Sequence, residues 1–246
     1  VAFPEMALER LDKLLSATGR WSRREVKDLV RQGSVLVDGK AAKKPEEKAD
    51  PERSLIQVNG QEVDCAPYVY LMLHKPAGLL SATEDRSQKT VLDLLPPHLQ
   101  KRGLFPVGRL DKDTEGLLLL TDDGPLAHEL LSPKKHVDKV YFARVEGMLE
   151  QSDVAALAAG LTLGDGLECL PADLEILEDG RCCRITLREG KYHQVKRMLA
   201  ARGKPVTYLK RLSMGPLALD PALKPGEWRL LTAREQEALV GRAEKL

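Results

Sequence analysis

The sequence is short of aromatic residues and of long apolar runs, and both absences narrow the possible functions. Phe, Trp and Tyr together make up 4% of the 246 residues, so a broad stacking platform for single-stranded nucleic acid is not expected. No apolar run approaches the length of a membrane span, and the N-terminus lacks the apolar core of a signal peptide. We therefore expect a protein of the reducing cytoplasm, with a sizeable core drawn from the 43% of residues that are hydrophobic.

Cysteine is also scarce, with four residues and no C-x-x-C pair. Structural zinc sites usually contain such closely spaced thiols, so no zinc site is expected. Cys182 and Cys183 are neighbours whose side chains would point to opposite sides of a strand, which predicts two small buried hydrophobic side chains. A phosphate-binding glycine loop is absent as well. We predict that the protein uses no metal and no cofactor.

The formal net charge is only +1, which argues against a uniformly basic protein. Positive charge is nevertheless concentrated in two segments. Residues 10–44 hold ten Lys/Arg and four Asp/Glu, and residues 186–211 hold eight Lys/Arg and a single acidic residue. Two basic segments favour a polyanionic partner that is contacted at two places, such as a nucleic acid. Solvated helix faces would explain the same counts, so charge alone leaves both interpretations open.

The first part of the chain has the pattern of a small module at residues 6–65. An apolar stripe at helical spacing runs from Leu8 to Leu15 and predicts a first helix. Ser22 followed three residues later by Glu25 is typical of a capping box at the start of a second helix. The segment SVLVDGK then predicts a strand leading into an Asp-Gly turn.

Strands and helices are interspersed in the remainder, residues 66–246. Strands are predicted by the segments YVYLMLHKP, KVYFARVEG and CCRITLREG, and a basic helix by HQVKRMLAARG. Several glycine-bearing turns follow strands directly, among them a turn at Asp123-Gly124 after a buried strand predicted at residues 117–121. This favours antiparallel pairing over a doubly wound parallel sheet. We predict an α+β fold, with a mostly antiparallel mixed sheet flanked by helices.

The segment GRLDKDTEGLLLLTDDG, residues 108–124, has the clearest chemical pattern. Its acids lie near the spacing of a calcium-binding loop, but the flanking residues cannot form the two helices that such a loop requires. Asp111 could be an ordinary turn residue with Arg109 as its surface partner. We favour a catalytic carboxylate, because Asp111 lies on a loop that leads into a buried strand, where rigid support suits catalysis. A partly desolvated carboxylate there needs a nearby cation to stay ionised.

This segment resembles the catalytic motif of the pseudouridine synthases, in the branch that modifies ribosomal RNA. The opening motif of that family is similar to HKPAGLLSATEDRSQKTVLDLLP, its tyrosine motif to KVYFARVEG, and its basic-helix motif to REGKYHQVKRML. The first sixty residues resemble the RNA-binding module of ribosomal protein S-four. The resemblance therefore covers nearly the whole chain and implies the pseudouridine synthase fold with a small N-terminal α/β RNA-binding module.

The resemblance also implies a reaction and its site. Pseudouridine formation breaks the bond between ribose and the base nitrogen and rejoins the uracil through ring carbon five, so it needs neither an energy source nor a redox cofactor. Asp111 would be the essential carboxylate, Tyr141 would stack on the extruded uracil or act in a late proton transfer, and Lys196 would pair with Asp111. The uridine must leave its stack to be reached. His74 and His193 are left out of the catalytic set, because a lone histidine is more often structural.

RNA contacts are implied for a further group of basic residues, which would bind phosphate or, for Arg109, fill the space vacated by the base. They are Arg109, Lys75, Arg86, Lys191 and Arg197 in the second part, and Arg10, Lys13, Arg20, Arg23, Arg24, Lys27 and Lys40 in the module. The partner would be ribosomal RNA or a partly assembled small ribosomal subunit. We expect the protein to be a monomer.

The target and even the activity have alternatives. GKYHQVKRM and ALKPGEWRLLT are most similar to the small-subunit type, which modifies one uridine of 16S rRNA, whereas relatives acting on 23S rRNA or tRNA usually carry Arg-Asn at the position of Tyr192–Gln194. A catalytically silent RNA-binding assembly factor would keep the fold without the reaction. A glycosidic hydrolase using Asp111 would usually need a second carboxylate as acid, and neither Asp113 nor Glu115 has a spacing that supports this.

Overall fold

The computed structural model describes residues 8–243, apart from the side chains of Pro133, Arg242 and Ala243. The described chain divides into two compact units. One contains the residues up to Val69 together with Leu95–Leu104, and the other contains Tyr70–Leu94 and the residues from Phe105 onward. The start of the predicted module, residue 6, lies outside the described residues. No helix in the described part of the chain is both long enough and apolar enough to cross a membrane.

The first unit consists of short elements around one small core. Its helices and strands are β1 (Glu9–Arg10), α1 (Leu11–Ala17), α2 (Arg23–Arg31), β2 (Val35–Val37), β3 (Lys40–Ala41), β4 (Lys48–Ala49), β5 (Ile56–Val58), β6 (Gln61–Glu62) and α3 (Pro97–Lys101). β2, β3, β5 and β6 form an antiparallel sheet in the order β3-β2-β5-β6. The apolar faces of α1 and α2 pack with this sheet into a single cluster of buried aliphatic side chains.

The predicted start of α2 is confirmed. The Ser22 backbone N–H donates to the Glu25 carboxylate at 2.6 Å, and the Glu25 N–H donates to the Ser22 hydroxyl at 3.3 Å. The predicted turn is confirmed too, since Asp38 and Gly39 both have positive φ, as a two-residue hairpin of this type requires. The first helix begins later than the apolar stripe from Leu8 predicted, because Leu8 is exposed and α1 starts at Leu11.

The second unit is built on one large sheet. Its elements are β7 (Tyr70–Lys75), β8 (Phe105–Pro106), β9 (Glu115–Thr121), α4 (Gly124–Leu131), β10 (Lys139–Val145), α5 (Gln151–Ala159), β11 (Leu161–Thr162), β12 (Glu168–Cys169), β13 (Asp173–Ile176), β14 (Cys182–Leu187), α6 (Gln194–Ala201), β15 (Val206–Met214), β16 (Leu217–Ala218), β17 (Trp228–Leu230) and α7 (Ala233–Ala243), with 3-10 turns at Val91–Leu94 and Pro133–Lys135.

The strand order of this sheet is β13-β14-β10-β15-β9-β7-β17. β9 and β15 pair in parallel, and the other neighbours along this path are antiparallel. The predicted α+β fold with a mostly antiparallel mixed sheet is confirmed. β9 lies inside the sheet with its four consecutive leucines buried, which explains the unbroken apolar run that follows Asp111, since a strand covered on both faces has no polar side.

Gly116 is required where β9 meets β15. A side-chain carbon added at Gly116 would lie 2.2 Å from the backbone oxygen of Arg211, and its φ of +107° also disfavours any other residue. The close approach places the start of β9 directly beside Arg211, its parallel partner in the sheet. The loop that carries Asp111 immediately precedes this strand.

Two elements differ from the sequence expectations. The Asp-Gly pair after β9 was predicted to be a turn, but it begins helix α4, because the Asp123 carboxylate caps that helix by accepting from the Leu126 N–H at 3.0 Å. The long strand β15 was not predicted. All four cysteines are buried and free, in line with the expectation that Cys182 and Cys183 are small hydrophobic side chains.

Candidate active site

A cavity of about 970 Å³ opens in the second unit beside the Asp111 loop. Most of its wall comes from the loop at residues 108–114, from the segment at residues 187–195 that leads into α6, and from the adjacent strands β10 and β15. Residues near 80–85 and 131–132 complete the lining. The lining includes Arg109, Asp111, Tyr141 and Arg211. The second basic segment of the sequence and the acidic motif therefore meet at one cavity.

Asp111 lies at this cavity with its carboxylate between two basic side chains. Its Oδ2 is 3.0 Å from Lys196 Nζ, and its Oδ1 is 3.3 Å from His193 Nε2. The Asp111 side chain remains 24% exposed, so a ligand in the cavity can reach it. The ion pair joins a loop before β9 to a helix more than eighty residues later, as the resemblance implied for Lys196.

The loop that carries Asp111 is held at several points by hydrogen bonds. The Ser81 hydroxyl donates to the Leu110 carbonyl at 2.9 Å and accepts from the Leu110 N–H at 3.1 Å. The Thr114 N–H donates to the Asp111 carbonyl at 3.0 Å. A carboxylate on a loop fixed in this way keeps its orientation without help from a substrate.

Lys75 is part of this support, and its predicted phosphate contact is wrong. Its side chain is 0% exposed, and its ammonium donates to the carbonyls of Pro76, Lys112 and Thr114 at 2.9 to 3.1 Å. Burial lowers the pKa of Lys75 to about 8, against the opposing effect of nearby carboxylates that include Asp113. A lysine enclosed in this way cannot reach an RNA backbone, and it ties the part of the loop that follows Asp111 to the end of β7.

Lys196 bridges two acids of the motif. Its Nζ is 2.6 Å from Asp113 Oδ1 as well as 3.0 Å from Asp111. Burial alone would lower the pKa of Lys196, but its hydrogen bonds with Asp113 and Asp111 raise it above its ordinary value. The hydrogen bond from Lys196 likewise lowers the pKa of Asp113. Lys196 therefore stays charged beside Asp111, and Asp113 holds the ammonium from the solvent side.

Tyr141 lines the same cavity from the middle of β10 and is mostly buried. In the sheet it lies between Ile185 of β14 and Arg211 of β15, its two directly paired neighbours. Paired residues on adjacent antiparallel strands present their side chains on the same face. The floor of the cavity therefore combines an aromatic ring with a guanidinium side chain.

The other predicted RNA contacts of this unit fall into two groups. Arg109 and Lys191 line the cavity, with Arg109 exposed and Lys191 bound to Glu189 at 3.1 Å and to the Glu168 carbonyl. Arg86 and Arg197 are not among the lining residues, and Arg197 pairs with Asp165 at 2.5 Å. The structure thus brings Arg109 to the cavity mouth and leaves Arg86 and Arg197 outside it.

The predicted contacts of the first unit are all exposed. Arg10 pairs with Asp12 at 2.9 Å and Lys13 with Glu9 at 2.9 Å. Five others form no ion pair with any residue in the described range of the chain: Arg20, Arg23, Arg24, Lys27 and Lys40. These five present open positive charge.

The sequence interpretation missed two residues that lie at the cavity. His193 had been set aside as a lone histidine, yet it contacts Asp111, and its ring stacks on Tyr192 with 3.8 Å between ring centroids. Arg211 was counted only as charge in a basic segment, yet it is 2% exposed. The apolar Leu209, two residues earlier and so on the same face of a strand, could have indicated that Arg211 points inward. Among the described residues, no group of three His, Cys, Asp or Glu side chains could hold a metal ion.

Comparison with known proteins shows which family this chain resembles. The model of the RNA pseudouridylate synthase family matches residues 69–201, and the S4 domain model matches residues 9–55. A Bacillus subtilis protein named as an uncharacterized RNA pseudouridine synthase is 51% identical over 94% of this chain and 98% of its own length. The small-subunit pseudouridine synthase A of Pseudomonas aeruginosa is 41% identical, over 92% of this chain and 98% of its own. A crystal structure of a pseudouridylate synthase, 36% identical, matches with a TM-score of 0.66 over 94% of this chain and 99% of the other.

Proposed function

This chain belongs to the RNA pseudouridylate synthase family, with an N-terminal S4 domain, and we propose that it modifies small-subunit ribosomal RNA with Asp111 as its essential carboxylate. It is an isomerase that converts uridine in RNA to pseudouridine. The observation that carries the assignment of Asp111 is its ion pair with Lys196 at 3.0 Å, on the wall of a cavity that Tyr141 also lines.

The proposed reaction conserves every atom of the nucleotide. The bond between ribose C1′ and uracil N1 breaks, the uracil turns, and C1′ bonds to ring carbon five. That carbon then loses its proton, and N1 gains one. Asp111 either attacks the sugar or the ring, or removes a sugar proton to give a glycal. In each route Lys196 keeps Asp111 charged and aimed into the cavity.

Base flipping is part of the proposal, and the cavity supports it. A base inside an RNA stack cannot reach a carboxylate that is itself in a recess. The volume of about 970 Å³ exceeds that of one nucleoside and suits sites that enclose small ligands. Tyr141 offers a ring face for the extruded uracil, and the exposed Arg109 at the mouth can enter the space the base leaves or hold the adjacent phosphate.

Small-subunit RNA is proposed as the target because several relatives are named as small-subunit pseudouridine synthases. The Vibrio parahaemolyticus small-subunit pseudouridine synthase A is 38% identical over 94% of this chain, similar in extent to the Pseudomonas aeruginosa protein. The partner would be the RNA itself or a partly assembled small subunit, met by a monomer in the cytoplasm. The S4 domain would bring the cavity to the correct RNA through its exposed basic residues.

Tritium release tests the target. Small-subunit RNA, large-subunit RNA and tRNA carrying tritium on uracil carbon five are each incubated with the protein, as naked RNA and, for the small subunit, as partly assembled particles. We expect tritium release from small-subunit RNA with the RNA chain intact. Release from only large-subunit RNA or tRNA would show that the proposed target is wrong. Free uracil would indicate a hydrolase, and binding without release would indicate an assembly factor.

A further inference from the structure

Arg211 is an unusual feature of the cavity, because it is a buried cation whose charge has no carboxylate partner among residues 8–243. Its Nε donates to the Leu117 carbonyl at 2.8 Å, which fixes the side chain against β9. Its Nη2 is buried and has no hydrogen-bond partner. Buried charges in proteins are normally paired, since an uncompensated one is costly. A guanidinium left in this state at a ligand cavity indicates that a ligand completes its hydrogen bonds.

Two neighbouring groups support this interpretation. Lys139, on the same strand as Tyr141, also lines the cavity, and its pKa is lowered first by burial and then by the positive charge of Arg211. The hydroxyl of Thr114, another lining residue, is buried without a partner. Glu189 also lines the cavity, but its carboxylate is held by Gln194 and Lys191. Unfilled hydrogen-bonding groups on Arg211 and Thr114 therefore remain beside Lys139, which suits a ligand with electronegative oxygens.

The exposure of the lining residues indicates whether Arg211 meets the base or a phosphate of the bound nucleotide. Arg109 and Tyr192 are exposed, Asp111 is 24% exposed, and Arg211 is 2% exposed. A nucleotide that enters past Asp111 keeps its charged phosphates toward solvent and carries its base inward. The deep donors therefore face the uracil ring, whose carbonyl oxygens O2 and O4 are acceptors.

We propose that Arg211 donates a hydrogen bond from Nη2 to a carbonyl oxygen of the extruded uracil and stabilises the negative charge that develops on the base. The role rests on the proposed function of the Asp111 cavity. When the C1′–N1 bond breaks, its electron pair stays with the uracil and is shared by N1, O2 and O4. The charge is removed when C1′ bonds to ring carbon five, that carbon loses its proton and N1 takes one up. A fixed donor aimed at such charge in a site shielded from water is an effective form of catalysis.

Sulfur substitution in the RNA tests this contact atom by atom. A synthetic RNA of small-subunit sequence carries uridine, 2-thiouridine or 4-thiouridine at the position that the enzyme converts, and single-turnover rates are compared. Sulfur is a poor acceptor, so we expect about a tenfold slower rate when it replaces the contacted oxygen. The position that is sensitive identifies the oxygen as O2 or O4.

The same series with Arg211→Met separates substrate contact from structural support. We expect a rate loss of about 10²-fold with uridine and no additional loss with the sensitive thiouridine. Arg211→Lys is a second variant, used if circular dichroism shows that Arg211→Met does not fold. In Arg211→Lys, the loss of rate on sulfur substitution should also be smaller than in the wild type. The control is Lys210→Gln, which removes a cation from the adjacent position of β15 that is not part of the lining. It should keep both the rate and the sulfur sensitivity of the wild type.

Two outcomes overturn the inference. One is equal sensitivity to sulfur in the wild type and in the folded Arg211 variants. The other is a wild type that is insensitive at both oxygens. Failure of the proposed function has a different signature, because then either the wild type would not convert this RNA, or Asp111→Asn would convert uridine as fast as the wild type. Loss of activity in Asp111→Asn together with unchanged sulfur sensitivity in the Arg211 variants contradicts only the role given to Arg211.

Discussion

The basic residues of the first unit and those around the cavity differ in what surrounds their charge. On α2, Arg23, Arg24 and Lys27 are exposed and make no ion pair with a described residue. Around the cavity, Lys75 is enclosed by carbonyls, and Lys196 is bound to two carboxylates. Open charges attract a polyanion over a distance and are weakened by salt, whereas enclosed charges fix the geometry of their neighbours.

We expect RNA binding and the chemical reaction to depend on basic residues in different parts of the molecule. Both segments look alike in the sequence, since each has a clear excess of Lys and Arg. We expect the first segment to supply affinity for RNA and the second to supply a preorganised site. Substitutions in the two places should therefore change different measurements.

Among the losses of Lys196, of Lys75 and of the open charges of the first unit, loss of Lys196 should lower the reaction rate most. Lys196→Met leaves Asp111 without its nearest cation, so the rate constant at saturating RNA should fall by about 10² to 10³-fold. RNA affinity should change little, because Lys196 is occupied by Asp111 and Asp113. Single-turnover kinetics and filter binding measure the two quantities.

Two controls define what Lys196 contributes. Lys196→Arg keeps the charge and should lose less than about tenfold, and Asp113→Asn keeps the pair between Lys196 and Asp111 and should lose still less. If Lys196→Met weakened binding and left the rate unchanged, Lys196 would belong with the open charges of the first unit.

Loss of Lys75 should reduce stability. Lys75→Met removes a hydrogen-bond donor from the carbonyls of Pro76, Lys112 and Thr114, although the Lys112 carbonyl keeps the Gly78 N–H at 2.7 Å. We expect the free energy of unfolding to fall by about 2 to 4 kcal/mol, measured by urea denaturation. If Lys75 instead contacted an RNA phosphate, Lys75→Met would leave the free energy of unfolding unchanged and would weaken RNA binding.

The same lysine predicts a pH dependence. The native state releases the Lys75 proton near its pKa of about 8, whereas the unfolded chain keeps it up to about 10.5. The unfolded state therefore binds more protons between these values, so this group makes the native state more stable as pH rises from 8 to 10. The difference in unfolding free energy between wild type and Lys75→Met should increase over that interval. A constant difference would contradict the burial of a charged Lys75.

Removal of open charge from the first unit should have the smallest effect on the reaction itself. Replacing Arg20, Arg23, Arg24 and Lys27 by Gln should lower the slope of log affinity against log salt concentration by about 3. The rate at saturating RNA should stay within about twofold of the wild type. A matched control replaces four exposed cations of the second unit that are not part of the cavity lining: Lys134, Arg181, Lys224 and Arg234. Equal loss of salt dependence in both variants would show that total charge, and not the first unit, governs binding.

Much of the fold could be predicted from local pattern. The capping box at Ser22, the hairpin turn at Asp38 and the alternating strand KVYFARV each depend on a few neighbouring residues. The pair of Asp111 and Lys196 was expected only through resemblance, because no local pattern connects residues so far apart in the chain. Their contact depends on how β9 and α6 are placed by the sheet.

Other features required the folded structure. Lys75 precedes a proline at the end of a strand, and the sequence does not reveal that the carbonyls of Lys112 and Thr114 surround its ammonium. Arg211 resembles Lys210 in the sequence, but successive residues of a strand face opposite ways, and of the two only Arg211 lines the cavity. Burial and partners, and not residue type, decide the role of each cation.

The most direct test of the central claim is pseudouridine formation by Asp111→Asn in a single turnover on small-subunit RNA, with RNA affinity measured on the same sample. The variant keeps the size of the side chain and removes its charge. We expect a rate at least about 10³-fold below that of the wild type, with affinity within about twofold. Conversion at the wild-type rate would show that Asp111 is not the essential carboxylate.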